Sequence, residues 1–166
     1  MIRSILYATD LGLYAPYVLQ HALSITRSFN AELYVVHAVE PLGLFAESVL
    51  QTYLDEKTLR ELRSKGLSTV MASIEQRVLE GFRDELGDAQ QESQLIRNVR
   101  VVQGDSAQVI LDEARKLAVD LLIVGSHSHG AEQAGPLGRT AARVLQLAER
   151  PVYLVPMLQH RGRADG

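Results

Sequence analysis

Residues 121–144 read LLIVGSHSHGAEQAGPLGRTAARV, and the reading of this stretch decides the fold. Leu121, Leu122, Ile123 and Val124 form an apolar run without polar alternation, as expected of a parallel strand covered on both faces. The run breaks at Gly125, passes through a loop of Ser, His and Gly, and resumes as a helix after Gly138. Backbone N–H groups at the start of such a helix have no partners within it, and the helix dipole favours negative charge there. Glycines let main chain approach a ligand closely, so the junction reads as a candidate phosphate cradle.

Working outward, strands and helices alternate. Residues 2–9 read as a first strand, closed by the turn Asp10-Leu11-Gly12. A helix over 15–28 follows, with Pro16 in its first turn, an apolar stripe of Val18, Leu19, Ala22 and Ile25, and Asn30 as its left-handed stop. Residues 32–39 (ELYVVHAV) give a second strand ending at Glu40-Pro41. The connection 41–54 is unusually apolar and reads as packed loop or short helix, a lid, or a dimer contact. Residues 55–86 carry a helical pattern, and 89–94 a polar linker. A short third strand is expected over 99–102. Asp105 or Ser106 should cap the next helix, whose inward face is Ala107, Ile110, Leu111, Ala114 and Leu117. A helix over 139–148 turns Ala141, Val144, Leu145 and Ala148 inward. The last strand, 152–155, lies between Pro151 and Pro156.

This alternation argues for a five-stranded parallel sheet with right-handed crossovers. With strand order 3-2-1-4-5, the order reverses between the first and fourth strands, and ligands of such sheets sit beyond the strand ends at that reversal. The turns carrying Ala8, Thr9 and Asp10 and carrying Gly125 and Ser126 should therefore meet. One domain is expected over 1–158, with 159–166 a disordered tail.

Composition narrows the function classes. A formal net charge of -3 gives no electrostatic case for nucleic acid. The absence of cysteine excludes disulfides and thiol chemistry and fits a reducing compartment. No run approaches membrane-spanning length and the start turns polar too soon for a signal peptide, so a cytoplasmic protein without membrane insertion is expected. There is no GxSxG and no P-loop with its lysine, so efficient ATP turnover has no evident machinery. His127 and His129 form an H-x-H pair that could take a metal with Glu132, but no HExxH or third histidine lies nearby, and no metal site is expected. His21 and His37 read as packed or surface residues.

Taken together, ILYATD, ELYVVHAVEP, QGDSAQVILDEARKLAVDLLIVGSHS and PLGRTAARVLQLAERPVYLVP, in this order, resemble the universal stress protein family over nearly the whole chain. The resemblance implies a three-layer Rossmann-like fold of the adenine nucleotide alpha hydrolase type. It also implies a homodimer paired through the last strand, Val152–Val155, and a protein partner not identified by sequence. Family members that bind ATP carry glycine, two residues, glycine, nine residues, glycine, then serine or threonine. Here that frame places Gly125, Ser128, Gly138 and Arg139, with Thr140 one place late, so two positions are altered. Ser128 can still donate through its N–H and hydroxyl, and Gly130 and Gly135 add freedom elsewhere. Arg139 replaces a small hydroxyl with a permanent cation able to grip phosphate in bidentate fashion.

By the same resemblance, Asp10 faces the ribose and adenine, and Ala38 offers main-chain contacts to the base. Gly125, Ser126, His127, Ser128, Gly138, Arg139 and Thr140 are expected to contact the nucleotide. The plain structural alternative for Asp10 is a turn residue bonding nearby backbone. Three functions fit: a dimeric regulator holding an adenine nucleotide (ATP, with or without Mg²⁺), a dimeric interaction protein without nucleotide, or a slow Mg²⁺-dependent hydrolase using Asp10 or His127 to position water.

Overall fold

A computed structural model describes residues 1–12, 14–40, 52, 55–61, 76–77, 80–81, 84, 94–126 and 137–156. Five strands are formed by β1 (Ser4–Ala8), β2 (Glu32–Val39), β3 (Ile96–Gln103), β4 (Leu121–Gly125) and β5 (Val152–Val155). Between them, among the described residues, lie the helices α1 (Ala15–Phe29), α2 (Glu56–Glu61), α3 (Ser106–Lys116) and α4 (Arg139–Leu147). The sheet order is β3-β2-β1-β4-β5, and every pairing is parallel. This is the order expected from the alternation of elements.

Because its neighbours on both sides run parallel to it, β1 is the centre of the molecule. Ile5, Leu6 and Tyr7 are 0–1% exposed, and burial of each such side chain is worth about 1.5–3 kcal/mol. Odd residues of β1, with Leu33 and Val35 of β2 and Ile123 of β4, pack on Val18, Leu19, Ala22 and Leu23 of α1. Even residues, with Val36, Leu122 and Val124, pack on Ala107, Ile110 and Ala114 of α3 and Val144 of α4. Two cores flank one sheet, which is the three-layer arrangement.

Local chemistry fixes the ends of the helices. Asn30 stops α1 with φ 52°, the left-handed geometry that asparagine tolerates. Asp105 caps α3, its carboxylate accepting from the Gln108 N–H at 3.1 Å. Gly104 has φ +155°, and a Cβ there would come within 2.9 Å of Val109 Cγ2, so glycine is required.

Two expectations change. The third strand is eight residues long rather than four. Its exposed Arg97, Asn98 and Arg100 interrupt the apolar signal, as charges do on edge strands. Leu145 is 40% exposed rather than inward-facing, so α4 buries a narrower stripe of Ala141 and Val144. Conversely, Glu113 is only 2% exposed, in the core-facing stripe of α3. Arg100 reaches it from β3: Nη2 donates to Glu113 Oε1 at 3.3 Å. Arg100 Nε lies 2.6 Å from Oε2, an ion pair with the buried carboxylate. The expected helix over 55–86 falls largely outside the described residues, within which α2 and residues 76–77, 80–81 and 84 are helical. The connection 41–54, apart from Thr52, and the tail 159–166 also lie outside them.

Asp120 ties the starts of β1 and β4 together. Its Oδ2 accepts from the backbone N–H of Arg3 at 2.9 Å and of Ser4 at 3.2 Å. Those two donors, with the Ser4 hydroxyl and the nearby Arg150 charge, hold its carboxyl below the ordinary value of 3.8. A lowered folded value means stability that is present at neutral pH and lost as pH falls below 3.8 through that value. Asp120→Asn is therefore expected to destabilise the protein at neutral pH, with the gap to wild type closing in acid. Urea unfolding across that range measures it; a gap independent of pH would refute the assignment.

Candidate functional site

The backbone pins the strand ends that face the reversal. Thr9 N donates to Val36 O, Gly104 N to Val39 O, and Ser126 N to Val155 O, each at 2.9 Å. With the strand ends locked to their neighbours, the two crossovers leave in opposite directions and a crevice opens between them. It encloses about 320 Å³. Ala8, Thr9 and Asp10 line it from β1, and His37, Ala38 and Glu40 from β2. Val124 and Gly125 line it from β4, Ser106 and Ile110 from α3, Thr140 and Ala141 from α4, and Tyr14 and Val18 from the α1 side.

Each polar group at the rim has a definable state. Thr9 is buried, and its hydroxyl accepts from Leu11 N at 3.1 Å. Its carbonyl lies 2.9 Å from His37 Nδ1. A carbonyl only accepts, so Nδ1 carries the proton and Nε2 is the nitrogen left for other partners. Asp10 Oδ1 accepts from Gly12 N at 2.8 Å, which is the turn-forming role open to any aspartate after a strand. The Tyr7 hydroxyl donates to Ala15 O at 3.1 Å. Burial pushes its ionisation well above the ordinary tyrosine value, so it serves as a neutral donor.

The expected site residues divide into four groups. Ala8, Thr9, Asp10, Ala38, Gly125 and Thr140 all line the crevice. Ser126 and Gly138 instead close the base of the intervening loop, Gly138 N donating to Ser126 O at 2.7 Å. Arg139 stands in an adjoining cleft of about 270 Å³, with Glu40, Asp105, Ala107, Thr140 and Arg143. His127 and Ser128 lie outside the described residues, as do His129 and Glu132. Among the described residues, no group of three or more His, Asp or Glu converges as a metal site.

Sequence reasoning missed His37, Glu40, Ser106 and Arg143. His37 and Glu40 flank Ala38 at the end of a strand already assigned, so position alone was a usable signal. Arg143 follows Arg139 by one helical turn, the spacing that puts both on one face.

A parallel sheet with a crevice at its reversal point defines a Rossmann-like α/β protein. The model of the Universal stress protein family matches residues 1–156, and the chain belongs to that family. Among solved structures it is similar to hypothetical protein MJ0577, at 23% identity and TM-score 0.67, covering 95% of this chain and 97% of that one. It is also similar to the universal stress protein UspA from Lactobacillus plantarum, at 18% identity and TM-score 0.61, covering 93% and 97%. A universal stress protein in complex with cAMP is similar at 14% identity and TM-score 0.53, covering 93% and 97%. At these identities the likeness concerns the fold. No curated protein sequence matches the chain.

Gly12 sets the position of the Asp10 carboxylate. A Cβ at Gly12 would sit 3.0 Å from Oδ2 and 3.1 Å from Oδ1. Gly12→Ala should therefore shift the carboxylate and weaken the turn, costing roughly 0.5–1.5 kcal/mol. Urea unfolding checks this, with circular dichroism to confirm an unchanged fold; a stability equal to or above wild type would contradict it.

Proposed function

We propose that the chain is a dimeric stress-response regulator that holds an adenine nucleotide, ATP foremost, in the crevice without efficient turnover. The observation that carries this reading is the meeting of the Asp10 turn and Gly125 at the reversal of strand order, around an open space of about 320 Å³. The base and ribose belong beside Asp10, His37 and Ala38, where a carboxylate acceptor and backbone groups suit hydroxyls and ring nitrogens. The phosphates belong toward Gly125, Thr140 and the start of α4, where amide donors and positive charge gather. The complex of a universal stress protein with cAMP supports an adenine nucleotide as ligand class for the family. Mg²⁺ accompanying ATP would find a carboxylate in Glu40, which lines both the crevice and the adjoining cleft. A cytoplasmic place of action and a protein partner that reads the occupied or empty state complete the proposal.

On this reading the homodimer pairs through β5, an edge strand in the sheet order. Support comes from the side chains around it. Tyr153 is 38% exposed and Tyr17 is 36% exposed. His21 links them, packing edge-on to Tyr17 with ring centroids 4.9 Å apart and placing Nδ1 3.2 Å from the Tyr153 hydroxyl. An unpaired edge beside an exposed aromatic cluster suits a second copy that adds its own edge.

Two measurements test the reading. At one hundred times its Kd, a nucleotide stabilises the folded state by about 2.7 kcal/mol, a rise in Tm of roughly 5–10 °C for a chain of this size. ATP should produce such a shift and Asp10→Ala should reduce it; no shift with millimolar ATP or AMP would leave the dimer without its nucleotide. Light scattering should report a dimer for wild type and a shift toward monomer for Tyr153→Glu. A wild-type monomer would remove the interface.

A further inference from the structure

We infer that His37 is a specificity-determining residue of the crevice. Its Nε2 is held as a hydrogen-bond acceptor, and it selects a ligand ring that carries an amino group over the same ring without one. This rests on the nucleotide reading of the crevice and deepens it.

The backbone brings the imidazole there. His37 follows Val35 by two residues in β2, so the two share the sheet face that packs on α1. Val35 is buried in that core, whereas His37, nearer the carboxyl end of the strand, lines the crevice with Tyr14 and Val18.

Three observations converge on its role. First, the tautomer is locked. Nδ1 lies 2.9 Å from the Thr9 carbonyl, which can only accept, so the proton of the neutral ring sits on Nδ1 and the lone pair on Nε2. Thr9 is itself buried, and its N–H is bound to Val36 O at 2.9 Å, so the carbonyl that sets the tautomer is held in place.

Second, Nε2 is available. Among the described residues it has no hydrogen-bond partner. Tying β1 to β2 would use Nδ1 alone, and the backbone bond from Thr9 to Val36 already joins the two strands. A purely structural histidine leaves the second nitrogen without a task.

Third, donors on this wall are spent inside the protein. The Tyr7 hydroxyl donates to Ala15 O at 3.1 Å, Leu11 N to Thr9 Oγ1 at 3.1 Å and Gly12 N to Asp10 Oδ1 at 2.8 Å. The side chains turned to a ligand here are therefore acceptors, the Asp10 carboxylate and the neutral His37 ring. An exocyclic ring amine supplies N–H groups to such a wall. A ring carrying hydrogen in its place leaves Nε2 desolvated without a partner, which is how a polar site rejects a near-isostere.

The test is calorimetric titration of the full-length protein with ATP and with purine riboside 5′-triphosphate, which has hydrogen in place of the 6-amino group. Wild type should bind ATP at least about fivefold more tightly, the effect of one hydrogen bond made or left unmade. His37→Leu, with circular dichroism confirming the fold, should lower ATP affinity by a similar factor and leave the other ligand unchanged, so that the ratio falls to about one. Nitrogen-15 spectra of the wild-type imidazole give a second measurement that needs no variant. The neutral ring should carry its proton on Nδ1, and the Nε2 resonance should move with ATP but not with purine riboside 5′-triphosphate. Equal wild-type affinities, a ratio unchanged in His37→Leu, or a proton on Nε2 would overturn the role of His37 while leaving the crevice occupied. Binding of neither ligand would overturn both readings.

Discussion

Parallel pairing on both sides of β1 is the constraint from which the rest of the structure follows. A central strand with two parallel neighbours cannot be left by hairpins, so both connections must cross over the sheet as helices. Right-handed crossovers then send the chain to opposite faces, α1 to one and α3 and α4 to the other. The helices diverge at the carboxyl end of β1, and the space between them is the crevice. Backbone bonds hold the strand ends around it: Thr9 N, Ser126 N and Gly104 N are each bound to a neighbouring strand. Side chains decorate the crevice but do not create it.

That origin explains how charge is distributed around it. Asp10 and Glu40 stand on loops following β1 and β2, while Arg139 and Arg143 stand on the helix that follows β4. The acidic and basic walls thus come from opposite sides of the reversal, and the polarity of the site runs across the sheet. An amphoteric ligand, polar and uncharged at one end and anionic at the other, matches such a field better than a uniformly charged one. On the proposed reading this orients a nucleotide before any specific hydrogen bond is counted.

What was legible in the sequence was local or periodic. Asn30 and Asp105 carry their cap function in their own chemistry, Gly125 ends an apolar run, and the alternation of elements restricts the topology to few choices. What was not legible depended on partners distant along the chain. Nothing local marks Glu113 as buried; its partner Arg100 comes from β3. Leu145 shares the apolar stripe of α4, but periodicity says which residues share a face and not how much of that face is covered. His37 reads as a packed histidine until the carbonyl of Thr9 fixes its tautomer. The third strand is longer than its apolar run because its charges protect an edge, and edge strands blur the pattern by which strands are recognised.

On the proposed nucleotide reading, Arg139 in place of a small hydroxyl changes the kind of anion site the fold would offer. A glycine followed by a small hydroxyl presents short, fixed donors whose position is set by backbone, so selectivity comes from shape. Here the residue after Gly138 projects a long guanidinium into a separate cleft. Donors on flexible stems lose rotamer freedom when they grip a ligand, which lowers the net gain per contact. Their attraction is longer in range and is weakened by salt, whereas backbone donors are less affected. On that reading the exchange trades geometric discrimination of the anion for discrimination by charge. The sheet tolerates it because Gly138 N remains bound to Ser126 O, so the loop base holds its shape whichever side chain follows.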